Sequence, residues 1–404
     1  MKHLLYLCHR IPYPPNKGDK IRSYNILKYL SKYFHVHLGA FVDDPDDFQY
    51  ENKISDMCAS HCLLPLDPKL SKLKSLSGFF TGLPLSLPYY ANAKMQRWVD
   101  AALVENEMVG VLIFSSTMAQ YVAGNRFLQL KRYIDFIDID SDKWAQYKSQ
   151  ASPIMKLVYG YESHMLFAWE KRIANEFERS FFVSEKEAAL FKTMVLEASE
   201  KISYFNNGVD TDYFSPINTH QSPYLGTCKT IVFTGAMDYW ANVDAVVWFA
   251  NHVLPLVCQK VSNLMFYIVG SKPDEKVKTL AESSNIVVTG AVDDVRPYLA
   301  HASIAVAPMR IARGVQNKVL EAMAMGLPTV TTSQGYEGIN ATRDQELMVV
   351  DEVGDWVDTL VEFLVHDGHD SIGAAARHRV VTDYSWQSSL IRLKSCLDGS
   401  GMDN

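Results

Sequence analysis

None of the six cysteines (Cys8, Cys58, Cys62, Cys228, Cys258, Cys396) stands in a CxxC pair. The chain length of 404 residues excludes a disulfide-stapled miniprotein, and reduced thiols acting as small hydrophobes are expected. Cys58, His61 and Cys62 resemble half of a metal site, but no second ligand pair accompanies them, so a metal centre is not expected there. Long hydrophobic runs are also scarce. Leu4 to Cys8 is broken at once by His9, Arg10 and a proline-rich loop, and the uncharged stretch from Ser75 to Ala93 carries Pro84 and Pro88. Neither reads as a signal peptide or a spanning helix, so a cytoplasmic protein is expected. Positive charge is in deficit: 39 Lys and Arg against 46 Asp and Glu leave a net −7, which argues against a nucleic-acid partner. With 48% hydrophobic residues and only 21 Gly and 16 Pro in 404 residues, the composition is that of an ordinary globular chain long enough for two or three domains.

Short apolar runs alternate with helical periodicity along the whole length, as in repeated βαβ units with mainly parallel sheets. Strands are expected at Leu4 to Cys8, His35 to Val42, Val111 to Ser115, Tyr133 to Ile139 and Phe181 to Ser184. A second series follows at Thr230 to Thr234, Leu264 to Val269, Ile286 to Thr289, Ile304 to Ala307, Pro328 to Thr331 and Leu347 to Val350. The turn-rich, polar segment between Gly208 and Lys229 separates the two series. From Tyr384 to Leu397, Trp386, Leu390, Leu393 and Leu397 share one face of an amphipathic helix. The expected organisation is an α/β domain over residues 1–210, a second over 211–383, and a helix over 384–404 packing back across both. Ligands of such proteins bind beyond the carboxyl ends of strands, so the chemistry is sought in loops after strands.

The densest signal is Pro308 to Pro328: a strand end, a loop with Arg310, Arg313 and Gly314, then a helix with Lys318 and Glu321. A glycine-containing loop entering a helix offers backbone N–H groups and a positive dipole end to a phosphate, with Lys318 one turn inside. Glu321, three residues on, shares the face of Lys318, where its carboxylate could accept from a ribose diol. The alternative is that Arg310 and Arg313 are solvated charges and Lys318 and Glu321 an ordinary i,i+3 pair. In the first half, Asp135, Asp138, Asp140 and Asp142 crowd a strand end. Asp138 is the candidate to orient an acceptor hydroxyl or a donor sugar, and the alternative is that Asp140 or Ser141 simply caps the next helix. As a calcium loop the run fails, because Lys143 and Ser149 occupy the places of the required Gly and Glu.

The pattern PxRxxxGxxxKxLEAMAxGxP at 308–328 resembles the donor-site motif of family-4 glycosyltransferases with the GT-B fold. The segment Asn207 to Pro216 is similar to their NGVDxxxFxP link, and Thr234 to Ala245 to their first C-terminal strand and loop. PYPPNKGDKIRSYNIL around Gly18 and Arg22, with DFIDIDSDKW around Asp138, resembles the branch associated with bacterial exosortase exopolysaccharide systems. This likeness implies two Rossmann-like, doubly wound domains facing across a cleft, and a retaining, metal-independent hexosyltransferase with no cofactor beyond its nucleotide-sugar donor. It implies that Arg310 and Lys318 neutralise the diphosphate, that Glu321 holds the ribose, and that Val315, Gln316 and Asn317 supply N–H groups beside Arg313 and Gly314. It further implies that Gly18 and Gly235 let backbone approach the donor and that Val292 helps frame the nucleobase. Two features depart from the pattern: Arg313 replaces a common sugar-binding Glu, and Ala236 to Trp240 lacks the usual Arg and Lys. A nucleotide-sugar 2-epimerase and a non-catalytic nucleotide-sugar-binding subunit are the competing readings.

Leaving-group chemistry explains the cations. Breaking the bond from anomeric carbon to diphosphate builds charge on the departing phosphate, and a preorganised cation there is worth roughly 3 kcal/mol. The sequence also suggests where an acceptor waits. From Pro68 to Val99 there are five basic residues and no acid, interleaved with Phe79, Phe80 and Leu83. That pattern suits an anionic inner-leaflet surface presenting a lipid-linked or polysaccharide acceptor; the alternative is buried aromatics and merely solvated lysines.

Overall fold

The computed structural model describes the chain except residues 219, 225, 313–314, 367–369 and 399–404. The chain forms two compact units, one of Met1–Asn207 together with the segment from Ser389 onward, the other of Gly208–Ser388.

In the first unit the elements run β1 (Lys2–Cys8), α1 (Gly18–Leu30), β2 (Phe34–Val42), β3 (Ser60–Pro65), α2 (Pro68–Ser75), α3 (Ala93–Glu105), β4 (Met108–Phe114), β5 (Arg132–Ile137), α4 (Asp140–Gln150), α5 (Pro153–Glu176), β6 (Arg179–Phe182), α6 (Glu185–Met194) and β7 (Ile202–Tyr204). The seven strands pair in the order β3-β2-β1-β4-β5-β6-β7, every pair parallel. Strand direction of growth reverses between β1 and β4, so the loops leaving these two strands part and open a crevice at their carboxyl ends. β3 and β7 are additions to the sequence-based expectation. Both are edge strands, and β3 is half-buried along most of its length, so neither carries the continuous apolar run of a central parallel strand.

A buried ion pair ties this unit together. Arg22 on α1 and Asp135 on β5 are 1% and 0% exposed, with Nε to Oδ2 at 2.7 Å and a second bond from the guanidinium to Oδ1 at 3.1 Å. The remaining donors of Arg22 reach the Phe205 carbonyl at 3.1 Å and Asn207 Oδ1 at 2.9 Å, and its guanidinium lies 3.9 Å over the Phe205 ring. Burial raises the Asp135 carboxyl above its ordinary value, while Arg22 pulls it back down. With both oxygens bonded, Asp135 anchors Arg22 as a strut from α1 to the end of the first unit.

In the second unit the elements are β8 (Lys229–Thr234), α7 (Trp240–His252), α8 (Leu254–Lys260), β9 (Leu264–Val269), β10 (Ile286–Gly290), β11 (Ile304–Ala307), α9 (Asn317–Ala324), β12 (Thr329–Thr331), β13 (Met348–Val349), α10 (Val353–Val365), α11 (Asp370–Asp383) and α12 (Trp386–Asp398). The parallel sheet runs β10-β9-β8-β11-β12-β13, with its reversal between β8 and β11. Trp240–Lys260 is long and apolar enough to cross a membrane. Its apolar side nevertheless packs in the core through Ala245, Val246, Phe249, Val253 and Val257, and Pro255 lies in the first turn of α8. The link leaving the first unit is clamped by a close approach: a Cβ on Gly208 would stand 2.6 Å from the Trp386 backbone, and Val209 N–H donates to the Tyr384 carbonyl at 2.7 Å. Trp386, Leu390, Leu393 and Leu397 of α12 are all buried, and the division between the units falls inside this helix.

Candidate functional site

The reversal point of the second sheet gathers the loops after β8 and β11 with the start of α9. Thr331 and Thr332, at the end of β12, donate hydroxyls to the carbonyls of Ala307 (2.9 Å) and Met309 (2.5 Å), which fixes the strand exit before Arg310. Lys318 is the second residue of α9, nearer the helix start than the sequence suggests. Its Nζ donates to Asn242 Oδ1 at 2.9 Å, lies 3.4 Å from Gln316 Oε1 and 3.8 Å from Met309 Sδ, and sits 5.4 Å above the Phe233 ring. Among the described residues no carboxylate pairs with it, so the expected alternative of an i,i+3 ion pair with Glu321 is not formed. Burial draws the ammonium down to about 8, against the pull of Glu321.

Asn242 is the residue that sequence reasoning missed. It is buried on the first turn of α7, its side-chain amide donates to the Ala236 carbonyl at 2.8 Å, and its oxygen is thereby turned toward Lys318. Gly235 makes room for it: a Cβ there would lie 2.7 Å from Asn242 Nδ2 and 3.4 Å from Lys318 Cε. Gly270, ending β9, packs so tightly on Gly235 that a Cβ would fall 1.7 Å from the Gly235 carbonyl oxygen. Two glycines therefore let the strand ends and the amide close around the lysine.

Glu321, one turn further along α9, is half-buried with its carboxyl pushed up to about 7 by burial, Lys318 opposing. No described side chain or backbone group hydrogen-bonds that carboxyl. The cap residue of α9, Gln316, makes no side-chain capping bond. Val315 packs on the core and Asn317 is half-buried in the first turn. Arg310 is half-exposed in a two-pronged bond to Asp244, at 2.7 and 3.0 Å, two residues along α7 from Asn242. Arg313 and Gly314 lie outside the described residues. Val292, after β10, packs with the cluster of Val232, Tyr267 and Val269, on the sheet face opposite Phe233.

The first unit has its own cluster where β1, β4 and β5 end. Asp138 is paired with Lys143 Nζ at 2.8 Å, and Lys143 also reaches Asp140 at 3.3 Å. The expected capping by Asp140 or Ser141 is not what forms. The cap position of α4 is Ile139, without a side-chain bond, and Ser141 turns its N–H (3.2 Å) and hydroxyl (2.5 Å) to buried Glu170. Burial, then the neighbouring Asp140, lift Glu170 to about 8. Beside these lie His9 and Arg10, directly after β1. His9 Nε2 is 3.4 Å from Asp19, and Arg10 bridges Asp19 (2.7 Å) and Asp43 (2.9 Å). Against the upward push of burial, His9 and Arg10 hold Asp19 well below the usual carboxylate range. His9 Nδ1 and Asp43 Oδ1 are buried without a partner, and Ser115 and Ile137, at the ends of β4 and β5, have φ of +79° and +72°. Orphaned polar atoms and strained non-glycine backbone cluster at functional sites in proteins. The only clue in the sequence is a His-Arg pair immediately after a strand. Gly18 begins α1 with open space around it.

Residues 228–366 match the family described as glycosyl transferases group 1. Over their whole lengths the two units share the fold of sucrose-phosphate synthase from Thermosynechococcus elongatus, with TM-score 0.64 at 14% identity and 99% of each chain covered. The chain has the GT-B fold, and its residues 228–366 are similar to a group 1 glycosyl transferase. Anabaena Alr3699/HepE in complex with UDP-glucose is another such GT-B structure, with TM-score 0.62 at 12% identity, covering 99% of this chain and all of that one. In sequence, the chain is 21% identical over 373 residues to an uncharacterised 44.6 kDa protein in the cps region of Klebsiella pneumoniae, covering 87% of this chain and 88% of that protein. In this GT-B protein the residues from Gly235 to Glu321 that form the lysine pocket all lie inside the matched domain.

Proposed function

We propose that this protein is a retaining, metal-independent glycosyltransferase that takes a hexose from a nucleoside diphosphate donor to an exopolysaccharide precursor carried on lipid. One observation carries the reading: a half-buried ammonium, Lys318, is held by neutral groups at an uncapped helix start, one turn from an unsatisfied carboxyl at Glu321. Burying a cation without a carboxylate partner is costly unless an anion completes the site. A diphosphate at the helix start would supply that anion, and a ribose diol would donate to Glu321. As the sugar–phosphate bond breaks, Lys318 stabilises charge that grows only toward the transition state. The UDP-glucose bound by the Anabaena protein supports a nucleotide-sugar donor. The cps-region relative and the likeness of the Gly18 and Asp138 segments to an exopolysaccharide-associated branch support the acceptor class.

The test is thermal unfolding with UDP-, GDP- and ADP-sugars, followed by transfer from the stabilising donor to a native lipid extract in chelator. A donor-specific rise in melting temperature and metal-free transfer with retained anomeric configuration are expected. Conversion of the donor without an acceptor would replace the proposal with epimerisation, and binding without turnover would replace it with a sensor.

A further inference from the structure

Helix α2 of the first unit is built inside out. Its buried residue is Ser71, while Leu70 and Leu73 are 58% and 67% exposed. The chain continues through Leu76 and a short turn of helix at Gly78–Thr81 to Phe80, which is 91% exposed. A chain that hides serine and shows leucine and phenylalanine has not placed these residues for its own core. Not all of the apolar segment behaves this way: Leu87 is buried and Tyr90 partly so, so the aromatics beyond Leu85 belong to the fold.

The exposed row continues on another element. Tyr161 of α5 donates its hydroxyl to the Gly78 carbonyl at 2.7 Å, and its ring lies 4.7 Å from that of Phe79. Glu162, the next residue, receives the N–H groups of Leu85 and Ser86. Counting back from Tyr161 at helical spacing, Leu157 and Ile154 lie on the same face, and they are 77% and 76% exposed. Leu70, Leu73, Phe80, Ile154 and Leu157 thus crown two neighbouring elements of one unit.

The charge along this crown is predominantly positive, with Asp67 capping α2 and Glu162 turned into the Leu85 and Ser86 backbone. Residues 68–83 contain Lys69, Lys72 and Lys74 and no acid, and residues 143–161 contain Lys143, Lys148 and Lys156 and no acid, in a chain whose net charge is −7. All but Lys143 are exposed and, among the described residues, carry no ion pair. Lysines unneutralised beside protruding leucines and a phenylalanine match an anionic bilayer: the ammonium groups meet lipid headgroups while the apolar tips enter the acyl boundary. We infer that this face, made by α2, the Gly78–Thr81 turn and the first turns of α5, docks the protein on an anionic membrane surface.

The experiment is flotation of the full chain with vesicles of equal parts phosphatidylglycerol and phosphatidylcholine, and with phosphatidylcholine alone, in low and high salt. No donor sugar is present, so the result is independent of catalysis. Binding is expected on the anionic vesicles at low salt, weakening as salt rises. Each of Lys69→Ala, Lys72→Ala and Lys74→Ala should reduce partitioning about fivefold. Leu73→Glu with Phe80→Glu and Leu157→Glu should abolish it at an unchanged melting temperature. Failure to float at low salt, or equal flotation of the triple glutamate variant, overturns the inference. So does a concentration-dependent dimer dispersed by Phe80→Glu in a protein that ignores vesicles, which would assign the face to a second copy of the chain.

Discussion

Raising the pH should loosen the grip of this protein on a nucleoside diphosphate, and the lysine pocket sets the size of the effect. Lys318 is drawn down to about 8 because burial disfavours its charge. At pH 7 about nine molecules in ten then carry the ammonium, and at pH 9 about one in ten. If only the charged form holds the diphosphate, apparent affinity falls by the same ratio, about tenfold between these pH values. Lys318→Met should remove that slope. At pH 7 it should also weaken binding by the worth of one charge-assisted hydrogen bond, about 1.5–3 kcal/mol, or roughly tenfold to a hundredfold. Asn242→Ala removes the acceptor that favours the ammonium, so the midpoint should move to lower pH while binding below it persists. Calorimetric titration with UDP, GDP or ADP at matched ionic strength reads all three. A flat profile in the parent protein, or the same slope in Lys318→Met, refutes the placement of the diphosphate on this lysine.

Other perturbations test the two units more simply. Lys318→Ala should lower kcat by on the order of a hundredfold or more, with little change in melting temperature. Arg22→Met strands a buried carboxylate and should cost about 3–5 kcal/mol in chemical denaturation, much of it recovered by pairing the change with Asp135→Leu. Glu170, pushed up to about 8 by burial, is mostly protonated at neutral pH, so Glu170→Gln should melt like the parent; a large destabilisation would mean the carboxylate is needed charged. His37 is depressed below its usual value by burial and by His3 and His35. The unfolded chain therefore takes up a proton first, and stability should fall as pH drops through the ordinary histidine range. His37→Gln should flatten that loss, and an unchanged acid limb in its melting curve would contradict the assignment.

The parallel central strands were legible because burial on both faces leaves near-continuous apolar runs, as in Leu4 to Cys8 and Ile304 to Ala307. The edge strands β3 and β7 left weaker marks, since half-exposed or three-residue strands need little apolar sequence. In the site, strand, loop and helix announced Lys318 and Glu321 through spacing along one element. The contact that orients the lysine joins residues 76 apart, and no periodicity reports a hydrogen bond between distant segments. The same distance effect hid the pairing of Arg310 with Asp244, and left His9 and Arg10 looking like the mere end of a strand.

The last helix has a practical consequence for anyone dividing this protein. A fragment ending at Asn207 would lack Leu390, Leu393 and Leu397, and the bond from the Tyr133 hydroxyl to the Cys396 carbonyl at 2.9 Å, leaving an apolar seam bare to water. Simple truncation should yield an aggregating product, whereas splicing the stretch from Ser389 ahead of Met1 through a flexible tether would gather the scattered pieces of that lobe into one continuous gene.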